Sequence, residues 1–461
     1  MRVRRLHARV GTARAIDVAE AFRDLPGLAL LESARPGRNA RWTYLTADPI
    51  AVLEAPAHGP DPFAVSRRLV ARLDPSLPDE PDAPPFIGGL VGFLGYDLGH
   101  ALERLPSIAL DDQGLPPMRL ALHDWVVAWD RRAGVAWLAG RAVDGDARGL
   151  ARRLDEVHAR LTSHGAGAAR QDDDDGPLRF RSGLSQPDYE AGVETVRRFI
   201  ADGDIYQANL TRRLETPFGG DPWTRYRRLR TGDPSLFSAY LDLGRSPETG
   251  RPRAVLSASP EPYLSLDPSG VVATDPIKGT RRRGRDRAED RRLACELLAS
   301  AKDRAENVMI VDVLRNDLGR VCLPGTVRVP RLCRLERTAA VQHLVSTVTG
   351  QLAPGRDAFD LLGASFPGGS ITGAPKIRAM EIIEELEPVR RGPYTGALGW
   401  IGPDGGMQTS ILIRTFIADG RRLTLHVGGG ITWGSDPAAE WEETVAKARG
   451  PLSAIGGEEV T

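Results

Sequence analysis

Lysine is nearly missing from this chain. Of its 61 lysine and arginine residues only Lys278, Lys302, Lys376 and Lys447 are lysine, all at or beyond position 278. Such a bias is what a GC-rich genome writes wherever arginine will serve. Each surviving lysine is either a chance leftover or a place that wants a compact ammonium, or an amine able to lose its proton. Net charge is missing as well. The 61 basic residues balance 61 acidic ones, so no overall field draws the protein to nucleic acid or to a membrane, and a small-molecule substrate fits better. Cysteine is scarce: Cys295, Cys322 and Cys333 show neither CxxC spacing nor clustered histidines. That excludes a disulfide framework or a zinc site and leaves them as packing residues. No stretch approaches the ~18 apolar residues of a membrane span, and no apolar segment follows the basic MRVRRLHARV start. A soluble, cytoplasmic protein is expected. No GxGxxG opens a βαβ unit, GSITGAPK lacks the GK[ST] ending of a phosphate loop, and no repeat of fixed period occurs.

At 461 residues the chain exceeds one comfortable core, which implies two subdomains or one multi-layered α/β body. Residues 1–161 mix short apolar runs with turns, as in FIGGLVGFLGYDL (86–98) and HDWVVAWD (123–130), followed by a helical stretch near 147–161. Residues 162–184 are small, polar and acidic and read as a linker or exposed loop. The second region, 185–455, opens with a helix: Ser185 and Asp188 have cap spacing, ahead of an apolar stripe of Tyr189, Val193, Val196 and Ile200. Beyond it the pattern predicts a hairpin (254–258 with 262–266), helices at 289–316, 375–386 and 437–449, and strands near 395–400, 409–417 and 422–427.

Several constellations could do chemistry. In KDRAENVMIVD, Glu306 falls on the face of Met309, Ile310 and Val313. A carboxylate there must be ion-paired, protonated or metal-bound. On the last helix Glu440, Glu443 and Lys447 share one face, with an apolar stripe of Trp441, Val445, Ala448 and Leu452 about 120° away. They make either an exposed i,i+4 pair worth about 0.3–0.5 kcal/mol or half of a Mg²⁺ site. PGGSITGAPK and HVGGGI offer backbone amides to an anion, the first at a helix start near Pro375, the second at Gly428, Gly429 and Gly430 after a strand; as glycine turns they could equally be only turns. Arg414 points to the same side of an expected strand as Leu412 and Phe416, which predicts a partly buried guanidinium in need of a carboxylate. Lys278, in VVATDPIKGT, stands at a strand end, where desolvation would make its amine a nucleophile or base. The RRRGRDR tract (281–287) reads as a solvated or gating loop.

Laid side by side, IYQANL, SASPEPY, DPIKGT, KDRAENVMIVD, RNDLGR, QHLVST, FPGGSITGAPK, SILIRT, GGGI and EWEETVAKA resemble, in that order, the chorismate-utilising enzymes. That family includes anthranilate synthase component I, aminodeoxychorismate synthase component I, and the isochorismate and salicylate synthases. The likeness is strong from about 185 to 450 and looser before 160, where it rests on LLES (30–33), ADPI (47–50) and GGLVGFLGYDL. The resemblance implies an α+β fold: a large multi-layered sandwich of two intertwined subdomains with antiparallel-rich sheets. It further implies that Glu306 and Glu443, with Glu440 beside them, hold Mg²⁺ against the ring carboxylate of chorismate. Arg414, Tyr394, Lys447 and the backbone at Gly428 and Gly429 would grip the substrate's carboxylates, with His343 and Thr372 beside the ring.

Two positions discriminate among the branches. Gln207 stands, among the substrate-binding residues, where isochorismate and salicylate synthases place a water-activating lysine, which disfavours a hydroxyl-adding reaction. Lys278 stands where anthranilate synthases typically show Ala and aminodeoxychorismate synthases Lys. The implied chemistry is attack of Lys278 at C2 of chorismate with Glu261 as general acid, then entry of ammonia at C4. None of the three cysteines lies in a Gly-flanked turn, so a separate glutaminase subunit is expected to supply that ammonia. The alternatives are anthranilate synthesis, suggested by LLES and by GDPSLFSAYL (232–241), both resembling tryptophan-binding segments of that branch, and a non-catalytic homologue.

Overall fold

The computed structural model describes residues 1–35, 40–55, 61–163, 176–338 and 341–460. Two large sheets, of thirteen and ten strands, form its centre. Among the described residues every strand pairing is antiparallel except that of Gly457–Glu459 with Leu178–Ser182. The reason for stacked sheets is visible in Trp125–Asp130, whose six residues are all buried. Trp125, Val127 and Trp129 face an apolar cluster that includes Leu154 and Trp223 from covering helices. Val126 and Ala128 face the opposite way, into a cluster with Val91, Leu398 and Ile417 between the sheets. Each such aliphatic side chain contributes about 1.5–3 kcal/mol by leaving water. The helix Ala301–Gly319 and its neighbours Ala358–Ser365 and Lys376–Leu386 cover the far side of the ten-stranded sheet. The layers are thus helix, sheet, sheet, helix, the α+β sandwich expected.

Each sheet takes strands from both halves of the chain. Arg2–Arg5, Ala29–Glu32 and Trp42–Thr46 enter the larger sheet, while Ala51–Ala55, Gly89–Leu94 and Met118–His123 enter the smaller. A boundary at 162–184 therefore separates no independent body. Leu178–Ser182, inside the segment read as a linker, is itself a strand whose Leu178 and Phe180 are buried. Residues 164–175 of that segment lie outside the described residues.

Ten elements position the cavity described below: β1 (Gln207–Pro217), β2 (Pro252–Ser259), β3 (Pro262–Leu266), β4 (Ile277–Arg282), α1 (Ala301–Gly319), β5 (Val341–Gln351), β6 (Met407–Ile411), β7 (Thr415–Ala418), β8 (Arg422–Ile431) and α2 (Pro437–Ala454). Several differ from the sequence expectation. The predicted hairpin of β2 and β3 does not form: β2 belongs to the larger sheet and β3 to the smaller, and the chain crosses between them at Pro260 and Glu261. β6 and β7, predicted as one strand, cross in the same way at 412–414. The two crossings are tied together, Ile411 N–H donating to Glu261 O (3.1 Å) and Ala258 N–H to Arg414 O (3.1 Å). The predicted helix 289–316 is two, because Ser300 turns extended (ψ 107°) and caps α1 with its side chain. The arginine tract is no free loop. Arg281 pairs with Asp303 (2.9 Å), Arg283 with Asp290 (2.7 Å) and Arg282 with Glu289, while Asp286 caps the next helix. Cys295 is exposed rather than packed.

Candidate active site

A cavity of about 550 Å³ opens where the two sheets exchange strands. Both crossings line it, through Glu261 and Arg414, together with β4, the first turns of α1, the β8 glycines and one face of α2. Three of the four lysines reach it: Lys278, Lys302 and Lys447. The fourth, Lys376, is held elsewhere by Asp317 (2.7 Å) and Ser365 O (2.7 Å).

Lys278 sits on β4 opposite Leu344, at a bulge whose next residue, Gly279, takes φ +75°. A Cβ at Gly279 would lie 2.9 Å from Asp303 Cβ, so glycine both turns the strand and lets α1 approach. The Lys278 amine donates to Ser370 O at 3.1 Å. Burial lowers its pKa, against the pull of Glu261 and Glu306. Glu261, 8% exposed, is shifted the other way: burial raises it, opposed by Lys278 and by a hydrogen bond from Ser370. Desolvation thus drives both partners toward neutral amine and neutral acid.

Glu306, Glu440 and Glu443 also line the cavity. Burial raises Glu306, and Asp303 and Glu440 push it further, although Lys278 and Lys302 oppose them. Burial likewise raises Glu440, which accepts a hydrogen bond from Ser435 Oγ (2.6 Å) and is repelled by Glu443. For Glu443 burial is outweighed by Lys447, 2.7 Å away, and its pKa falls. Lys447 also donates to Gly428 O (2.7 Å). Among the described residues no three acid, histidine or cysteine side chains converge tightly enough to hold a metal ion as they stand. The donor chemistry nevertheless suits a hard divalent cation, being carboxylate oxygens in mutual repulsion on one cavity wall. Gly429 leaves the space for it, since a Cβ there would lie 2.9 Å from Glu440 Oε2.

Other expected site residues are placed as follows. Tyr394 lines the cavity, its ring edge-on to His426 (4.8 Å between centroids), and burial raises its hydroxyl. His343 lines it too, with Nδ1 2.9 Å from Thr280 Oγ1; burial, then Arg414 and Arg35, push it down to about 4. Arg414 is not buried with Leu412 and Phe416. The strand breaks there at φ +50°, which turns the side chain out to 46% exposure, 3.7 Å from Asp233. Gly428, Gly429 and Gly430 lie inside β8 rather than after it, paired with Thr211, Leu210 and Asn209 of β1. Thr372 does not face the cavity. Its hydroxyl donates to Gly368 O (3.0 Å), and the lining falls to Ser370 and Ile371. Gln207 is also buried outside the lining and donates to Asn209 Oδ1 (3.0 Å). The helix start at Pro375 carries Lys376 and is not part of the cavity wall. Sequence reasoning missed Asn209, Asp303, Ser370 and His426; Lys302 was flagged only by its rarity.

A second, smaller cavity of about 90 Å³ joins Leu31, Glu32 and Ser33 to Phe237 and Ser238, under Trp42, Tyr44 and Trp400. Glu32 is buried there, accepting from Arg230 (2.6 and 2.9 Å) and from Tyr226 Oη (2.8 Å).

A sequence profile for chorismate binding enzymes matches residues 29–453. Anthranilate synthase component 1 of Streptomyces coelicolor is 42% identical over 437 residues, 92% of this chain and 83% of the relative. Aminodeoxychorismate synthase component 1 of Escherichia coli is 42% identical over 388 residues, 84% of this chain and 81% of the relative. Among solved structures, anthranilate synthase component I of Streptococcus pneumoniae superposes with a TM-score of 0.78 at 31% identity, covering 90% of this chain and 93% of the other.

Proposed function

The chain belongs to the chorismate-binding enzymes, and within them we propose that it makes 4-amino-4-deoxychorismate from chorismate and ammonia, with Lys278 as covalent nucleophile. The observation that carries this choice is the partly buried Lys278 amine in the same cavity as Glu261, each influencing the other's ionisation and both hydrogen-bonded to Ser370.

In the neutral state that burial favours, the Lys278 amine attacks C2 of the ring. Both ring double bonds shift by one position, and the C4 hydroxyl leaves as water with the proton of Glu261, which then takes the proton from the new ammonium. Ammonia attacks C4 and both double bonds shift back. Glu261 protonates the departing lysine nitrogen, the C2–N bond breaks, and the product ammonium returns a proton to Glu261. One water is released overall and both groups are restored. Glu306, Glu443 and Glu440 are the residues that would hold Mg²⁺, which when bound supplies positive charge to a ring carboxylate. Arg414 would exchange Asp233 for a substrate carboxylate, and Tyr394, Lys447 and the Gly428–Gly429 backbone would complete the grip. His343, held below neutral pH as the uncharged imidazole, flanks the ring without adding charge.

Ammonia would come from a separate glutaminase subunit. None of the three cysteines lines the cavity, and the name component 1 carried by the relatives fits a two-subunit enzyme. A lyase would then be needed to reach 4-aminobenzoate for folate synthesis. A second reading, anthranilate formation, is favoured by the smaller cavity, which brings LLES and GDPSLFSAYL together. The deciding assay incubates the chain with chorismate, Mg²⁺ and an ammonium salt and analyses the product with and without a lyase. Aminodeoxychorismate supports the proposal; anthranilate overturns it.

A further inference from the structure

Lys302 is unlike the other three lysines. Lys278, Lys376 and Lys447 each hydrogen-bond at 2.7–3.1 Å. Among the described residues the Lys302 ammonium has no hydrogen bond and stands 3.9 Å from Glu306, its side chain 56% exposed. It occupies the second position of α1 after the Ser300 cap, where a positive charge works against the helix dipole. Helix stability therefore does not explain it, and in this chain arginine is the default cation. Its long stem nonetheless brings it to the cavity wall that carries Glu306, Glu440 and Glu443.

We propose that Lys302 is a displaceable counter-ion for these three acids: it partly neutralises them before a divalent cation arrives, swings into solvent when the cation binds, and so sets how tightly the cation is held. A hydrogen-bonded lysine could not leave so readily, and an arginine, with its planar fork, would clamp a carboxylate. This rests on the proposal that the acids bind Mg²⁺.

Calorimetric titration of Mg²⁺ into the full chain, without chorismate and at low salt, tests it. Lys302→Met should bind roughly five- to tenfold more tightly than the unaltered chain, the scale of a single charge acting on a divalent ion through water. Lys302→Arg, whose fork clamps a carboxylate, should bind Mg²⁺ no more tightly than the unaltered chain, and the gap between Lys302→Met and the unaltered chain should narrow as salt screens it. Unchanged or weaker binding by Lys302→Met, or Lys302→Arg behaving as Lys302→Met does, overturns the counter-ion. Glu306→Gln reads the parent proposal separately. If it binds Mg²⁺ as tightly as the unaltered chain, the metal site itself is wrong and the counter-ion falls with it. If Glu306→Gln loses binding while Lys302→Met changes nothing, only the counter-ion fails.

Discussion

The two cavities described above are built by opposite means. The larger is lined by side chains from 209 onward, three lysines among them, and sits where β2–β3 and β6–β7 cross between sheets. The smaller draws on Leu31, Glu32, Trp42 and Tyr44 and is walled by aromatic rings, with its acid already satisfied by Arg230 and Tyr226. The first carries a lysine whose pKa burial lowers beside acids, Glu261, Glu306 and Glu440, whose pKa burial raises, a condition for proton transfer. The second carries a satisfied hydrogen-bond network around Glu32, the condition for stability or for holding a ligand. The proposed conversion of substrate is therefore assigned to the first. Among the described residues the N-terminal third contributes strands to both sheets but no side chain to the lining of the larger cavity.

Substitutions can break this contrast. The largest effect is expected at Lys278: Lys278→Ala should reduce turnover by about 10³-fold or more, the scale of losing an essential acid, base or nucleophile, while leaving the thermal midpoint near that of the unaltered chain. Next comes Glu443→Gln, which should weaken Mg²⁺ binding, read by titration, by at least the roughly 10–100-fold that loss of an outer-sphere partner costs. Arg414→Ala should raise KM for chorismate by about tenfold with a smaller change in kcat, because an exposed guanidinium contributes to grip more than to chemistry. Glu261→Gln should slow the reaction and also move the acid limb of its pH profile. Glu261 raises the Lys278 pKa, so without it the amine becomes neutral at lower pH and the limb shifts downward; an upward shift would contradict the pairing. Smallest for turnover is Glu32→Gln, which should leave kcat unchanged but cost about 1–3 kcal/mol in denaturant unfolding through the buried network around Arg230. A fall in kcat there would join the two cavities into one functional unit.

Much of this was legible in the sequence because charge is costly to bury and rarely placed idly. Lysine scarcity pointed to three cavity residues, and helix periodicity put Glu440, Glu443 and Lys447 on one face, where they stand. The helix at Ser185 was legible from its cap, Ser185 Oγ accepting from Asp188 N–H. The errors share a physical cause. Local alternation reports that a segment is extended, not which sheet it joins, so β2–β3 read as a hairpin and β6–β7 as one strand. Arg414 was misplaced because a positive φ at a non-glycine residue leaves no sequence signal. The glycines of β8 read as a turn, yet they serve a strand, where Gly429 clears room for Glu440. Thr372 and Gln207 were carried over by motif position, and each spends its polar group on the protein's own backbone or on Asn209.

Whether the Lys278 amine bonds to substrate is tested most directly by the intact mass of the protein after a single turnover with chorismate and Mg²⁺, ammonia being withheld. A species heavier by chorismate less water, mapped by peptide digestion to Lys278 and absent from Lys278→Ala, is the expected result. A wild-type protein of unchanged mass, with chorismate still consumed, would contradict it.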